Sequence, residues 1–157
     1  RARDLSEPGA GLWPPQHPAA GESMTRGEGR TYGDGEDVVI VTYGNGVPMS
    51  LRAARRIEQA HGWKTKVIDL RWLVPLSDAN LLGHPTTARR IIAVDEGRRS
   101  AGVGEGVITA LAEGGLGATP LERVVGADTY TPLAGAAFAV IPADDDIVAA
   151  ADRLAAR

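Results

Sequence analysis

The sequence predicts an α/β fold: a three-layer α/β/α sandwich on a mostly parallel five-stranded sheet with one antiparallel edge strand. Three observations predict it. Apolar runs of strand length alternate with segments whose apolar residues recur at helical spacing, the pattern of a parallel sheet covered on both faces. A Gly33-Asp34-Gly35 turn joins a short extended piece to the run Val38-Val39-Ile40-Val41. That reads as a tight hairpin, which makes the first two strands antiparallel. Finally, 157 residues with 43% hydrophobic content suffice for one domain around one core.

The elements follow in order. Residues 1–27 are crowded with Gly, Pro and Ala, and Pro8, Pro14, Pro15 and Pro18 exclude a helix. This is the composition of an extended linker, with Leu12 and Trp13 as anchor points, or of a disordered tail. The packed domain is expected over 28–157. After the hairpin, Val47, Leu51, Ala54 and Ile57 share one face of a helix, with Arg52, Arg55, Arg56 and Gln59 opposite; Pro48 fits its first turn and Gly62 ends it. Residues 64–70 form a strand. Ser77 and Asp78 start a short helix through Leu81 and Leu82, which Gly83 and Pro85 end. A strand over 90–96, a helix carrying Val107, Ile108 and Leu111, and a last strand over Leu121 to Val125 come next. The chain closes on a helix whose Asp144, Asp145 and Asp146 sit at its positive end, with Ile147, Ala150, Ala151 and Leu154 on one face.

Charge and composition exclude several functions. A net charge of −3 with scattered Lys and Arg does not make the concentrated basic face that nucleic acid requires. The sequence has no cysteine, so disulfides, thiolate catalysis and cysteine-based zinc sites are impossible. No signal peptide and no apolar run of membrane-spanning length are recognisable. The expectation is a cytoplasmic protein with no membrane partner. His17, His61 and His84 lack metal-ligand spacing, and Ser50, Ser77 and Ser100 lack a nucleophile elbow. Asp69 with Arg71 reads as an ion pair fixing a strand exit. Asp95 and Glu96 end a strand at the carboxyl edge of the sheet, where α/β ligand sites form. Capping a turn, or pairing with Arg98, is the expected role for either carboxylate.

The segment "AVDEGRRSAGVGEGVITAL" at 93–111 has the outline of a nucleotide loop. It fails the dinucleotide fingerprint, because Gly102, Gly104 and Gly106 run G-x-G-x-G and begin six residues after Glu96. No G-x-x-x-x-G-K-[ST] phosphate cradle occurs. Glycines here let a backbone approach closely, and helix-start amides attract anions. Arg98 and Arg99 lie beside them. Two readings remain: an anion docking point, or, favoured, close packing against a neighbouring domain or subunit.

Five stretches in order, "GEDVVIVTYGNGV", an alanine-rich helix, "KVIDLRWLVPLS", "RRIIAVDEGRRSAGVGEGV" and "ERVVGADTYTPL", resemble one known family. They are similar to the C-terminal domain of the beta subunit of thiamine-diphosphate-dependent 2-oxo acid dehydrogenases, within the transketolase superfamily. The resemblance covers residues 28–157 and implies the same sandwich with one antiparallel edge strand. It also implies that thiamine diphosphate and magnesium belong to the parent enzyme, in other domains, and that this chain binds no cofactor and has no catalytic residue. The implied role is non-catalytic scaffolding: a subunit interface, a homo-oligomer, and in some members a surface for the dihydrolipoyl acyltransferase core. Mapped onto this sequence, the contact-forming residues are Glu96, Arg98, Arg99, Gly102, Gly104, Glu105, Asp128, Tyr130 and Pro132. The alternatives are the C-terminal domain of a transketolase or deoxyxylulose phosphate synthase, and a freestanding anion-binding protein.

Overall fold

The computed structural model describes residues 21, 23–76, 78–83 and 87–157. Most of the expected linker, with Leu12, Trp13 and His17, lies outside the described residues, as do Ser77, His84 and Pro85.

The elements are β1 (Arg30–Tyr32), β2 (Val38–Thr42), α1 (Gly46–His61), β3 (Thr65–Asp69), α2 (Asp78–Gly83), β4 (Ile91–Arg98), α3 (Val103–Leu111), β5 (Leu121–Gly126) and α4 (Asp144–Ala155). They form a five-stranded sheet in the order β1-β3-β2-β4-β5. Strands β3, β2, β4 and β5 are parallel, and β1 runs antiparallel at the edge. The predicted sandwich is therefore the observed one. β2 lies at the centre because all five of its residues, Val38 to Thr42, are buried, and only a strand covered on both faces can be that apolar throughout.

The expected hairpin is corrected. β1 pairs with β3, Arg30 opposite Asp69 and Tyr32 opposite Val67, and does not touch β2 as a ladder partner. The Gly33-Asp34-Gly35 stretch instead carries the chain over the start of β3. The N–H of Gly35 donates to the Thr65 carbonyl, and those of Asp37 and Val38 donate to that of Lys64. Gly33 has φ +74°, and a Cβ there would stand 2.7 Å from the Thr65 oxygen; one at Gly35 would overlap the Lys64 backbone. The glycines serve a backbone crossing, for which a side chain leaves no room.

Two cores flank the sheet. On one face Val38, Ile40, Val67, Ile92 and Val124 meet Ala53, Ala54 and Ile57 of α1 and Ile147, Ala150, Ala151 and Leu154 of α4. On the other, Val39, Val41, Ile68, Ile91 and Ala93 meet Leu81 of α2 and Val107 and Leu111 of α3. Each large aliphatic side chain buried here contributes about 1.5–3 kcal/mol. The arginine face of α1 points at α4. Arg52 holds Asp144 through two bonds, 2.6 and 2.8 Å, and Arg56 meets Asp145 at 2.7 Å. α1 ends where Gly62 turns to φ +69° and returns its N–H to the Glu58 carbonyl. Arg71 donates its N–H to Asp69 at 3.1 Å with the guanidinium 3.6 Å away, the strand-exit pair expected from sequence.

Candidate functional site

Strand order reverses between β2 and β4, so the crevice beyond their carboxyl ends is where a parallel α/β sheet usually binds a ligand. Here the chain fills that position with its own side chains. Asp95, at 2% exposure, accepts three hydrogen bonds: the Tyr43 hydroxyl at 2.5 Å and the Gly97 N–H at 2.7 Å on Oδ1, and the Gly104 N–H at 2.7 Å on Oδ2. Asn45, just before α1, donates to Glu96 at 2.7 Å. Beneath them the Thr42 hydroxyl donates to the Val94 carbonyl at 3.1 Å. Burial and the Asp95 carboxylate hold the Tyr43 hydroxyl well above its ordinary pKa.

This arrangement explains the glycines. A Cβ at Gly102 would stand 2.7 Å from the Asp95 Oδ2 and 2.7 Å from the Arg98 carbonyl; one at Gly104 would stand 3.1 Å from the same Oδ2. The close approach they permit is to Asp95 of the same chain. The negative group at the start of α3 is that carboxylate, well placed against the helix dipole. Glu105, in the first turn, accepts the Ala101 N–H at 2.9 Å. Asp95 thus caps a turn, as expected from sequence, and also binds the start of α3, a contact not foreseen from sequence.

The last residue of β4, Arg98, and the loop residues Arg99, Ser100 and Ala101 are exposed. Ser100 donates its N–H and hydroxyl to Asp128 at 3.2 and 2.6 Å. These bonds hold the Asp128 carboxyl below the usual carboxylate range. Arg123 of β5 donates to the Arg99 carbonyl at 3.0 Å, with its guanidinium 3.9 Å from Glu105. So the loop from Glu96 to Glu105 meets Asp128 at one end of the sheet. From there an arm leads away: every residue from Ala127 to Ala136 is exposed, including Tyr130 at 90% and Leu133 at 91%.

Among the described residues no three or more His, Cys, Asp or Glu side chains gather to hold a metal ion. His61 stacks on Trp63 at 4.5 Å and meets Asp152 at 2.8 Å. No helix among the described residues is long and apolar enough to cross a membrane.

A family model for the transketolase C-terminal domain matches residues 27–146. The chain belongs to that family. Its curated relatives include the "Pyruvate dehydrogenase E1 component subunit beta" of Staphylococcus aureus and of Staphylococcus epidermidis. Each is 34% identical over 117 residues, spanning 73% of this chain and 36% of the relative. The chain thus spans just over a third of the length of those relatives. Among solved structures, a "Split gene transketolase, inactive beta4 tetramer" superposes with TM-score 0.72 at 23% identity, covering 89% of this chain and 45% of the other. That likeness concerns the fold.

In this transketolase C-terminal domain, Tyr43, Asn45, Arg123 and Leu133 take part in the site without having been singled out in the sequence, and Ser100 is weighed there only as a nucleophile. Tyr43 and Asn45 stand 52 and 51 positions from their carboxylate partners. The signal that could have found them is topological: residues just after a central strand face those just after the strand beside it.

Proposed function

We propose that this transketolase C-terminal domain is a non-catalytic support within a thiamine-diphosphate-dependent 2-oxo acid dehydrogenase. Decarboxylation of the 2-oxo acid and acyl transfer to a lipoyl group are assigned to other parts of that enzyme, which hold thiamine diphosphate and magnesium. The 34% identity to pyruvate dehydrogenase beta subunits supports this parentage. The observation that carries the supporting role is the exposed arm. Tyr130, Pro132 and Leu133 stand out from the fold, while Ser100 and Asp128 fix the base of the arm to the β4–α3 loop. Large apolar side chains at such exposure suit burial against another surface. In this reading the ridge of Glu96, Arg98, Arg99 and Glu105 flanks that contact, whereas Gly102 and Gly104 shape it from beneath. The partners are other domains or subunits of the enzyme, a second copy included, and the dihydrolipoyl acyltransferase core; the setting is cytoplasmic.

Sedimentation velocity tests the proposal. The chain should self-associate, or bind the enzyme's other subunit when the two are co-expressed. The double variant Tyr130→Asp, Leu133→Asp should lose that association with its circular dichroism unchanged. Association that the double variant leaves intact contradicts the assignment of the arm.

A further inference from the structure

We propose that the groove beside β5 binds a small, multiply charged oxyanion, an organic phosphate or a polycarboxylate. The groove, open to solvent, has a volume of about 440 Å³ and is lined by Arg99, Ile108, Leu121, Glu122, Arg123 and Arg153. β5 is the edge strand opposite β1, so the groove runs along the free side of the sheet, with α3 supplying Ile108 and α4 supplying Arg153.

Its charges do not cancel. Arg99, Arg123, Arg153 and the adjacent Arg157, with Arg98 beside them, are set against three carboxylates, Glu122, Glu105 and Asp128. Glu122, only 12% exposed, is shared by Arg153 through Nε at 2.9 Å and by Arg157 through Nη2. Glu105 stands 3.9 Å from Arg123. Among the described residues the Arg99 guanidinium donates no hydrogen bond, though its charge acts on Asp128, and its carbonyl accepts from Arg123. Arg123 is 20% exposed, which places a mostly covered cation at the wall. Two positive charges are left over, and among the described residues Arg153 is bonded through Nε alone. Guanidinium groups present planar donor forks that match phosphate and carboxylate oxygens.

Size and shape select a small guest. The volume falls within the range of small-molecule sites, roughly 300–1,000 Å³. Polymer or strand addition along β5 is blocked at both ends. Arg157 covers the Leu121 carbonyl at 3.4 Å, and the Ala127 N–H is taken by the Val140 carbonyl at 2.7 Å. Ile108 and Leu121, both half-buried, offer an apolar floor for the carbon part of the ligand. Arg99 also belongs to the ridge that flanks the arm, whereas Ile108, Leu121, Glu122, Arg123 and Arg153 do not, so Arg153→Glu is the variant that separates this inference from the assembly role.

Isothermal titration of the 157-residue chain at low ionic strength, where screening is weak, tests it with pyrophosphate, citrate and acetate as probes. Pyrophosphate or citrate should saturate one site, and whichever binds tighter identifies the phosphate or the carboxylate source; acetate should not saturate. Arg99→Glu and, separately, Arg153→Glu should each weaken binding by about tenfold or more. Arg99→Glu leaves every side-chain bond of β5 in place, so it reports on the ligand and not on folding. Absence of saturation by both polyanions, or equal affinity in both variants, overturns the proposal.

Discussion

Asp95 Oδ2 accepts the N–H of Gly104 at 2.7 Å, while its Oδ1 takes the Tyr43 hydroxyl and the Gly97 N–H. One buried carboxylate therefore ties the end of β2 and the irregular last residues of β4 to the start of α3. Asp95→Ala strands three donors in the crevice. An orphaned buried donor costs about 1–3 kcal/mol, so urea unfolding should show a loss of at least about 2 kcal/mol. Gly104→Leu should be similarly damaging, because a Cβ there stands 3.1 Å from Oδ2. Wild-type stability in both variants would mean that the carboxylate does not hold this loop.

Tyr43 gives the same knot a pH signature. Its folded-state pKa is raised above the ordinary 10.0 by burial, the hydrogen bond to Asp95 and the Asp95 charge. The protonated hydroxyl is thus the form the fold prefers. Its contribution is full below about pH 10 and lost as pH rises beyond that value. Tyr43→Phe should lower stability at pH 8 by about 1–2 kcal/mol, and its stability should fall less steeply than wild type from pH 10 to 11. Parallel pH curves for the two proteins would contradict this.

The α1–α4 seam separates a useful ion pair from an ornamental one. Arg52 and Asp144 are 17% and 18% exposed and doubly bonded, whereas Arg56 and Asp145 are 47% and 85% exposed. Arg52→Ala should cost about 1–2 kcal/mol. Arg56→Ala should change stability by less than about 0.5 kcal/mol. Equal losses in thermal or urea unfolding would show that geometry does not rank them.

Acid should loosen the base of the arm. The Asp128 pKa is lowered by its bonds from Ser100, so the tie is complete above the ordinary carboxylate pKa and is lost as pH falls through the lowered value. NMR titration should place the Asp128 carboxyl below other exposed aspartates, and Ser100→Ala should return it toward them. A titration unmoved by Ser100→Ala would separate the two residues.

The layers were legible because their causes are local. Continuous burial of Val38 to Val41 announces a central parallel strand, and the spacing of Val47, Ala54 and Ile57 announces the helix upon it. The antiparallel edge was legible, but its partner was not. A glycine turn looks alike whether it closes a hairpin or crosses a neighbouring strand, and the Gly35 to Thr65 bond spans 30 positions. The crevice was half legible for the same reason. Asp95 was visible as a capping residue, yet nothing near it in the chain points to Tyr43. Nor does residue type reveal that the glycines of α3 face an aspartate of their own chain. The arm was read through Tyr130 and Pro132, whereas Leu133, equally exposed, carries no signal until its lack of cover is seen.

Hydrogen–deuterium exchange across Ala127 to Ala136, in the chain alone and in its assembly with the other subunits, tests the supporting role most directly. The account predicts fast exchange in the isolated chain and strong protection in the assembly, centred on Tyr130 and Leu133, with the Asp95 knot unchanged. An arm that exchanges equally fast in both states, while protection develops elsewhere on the domain, would contradict it.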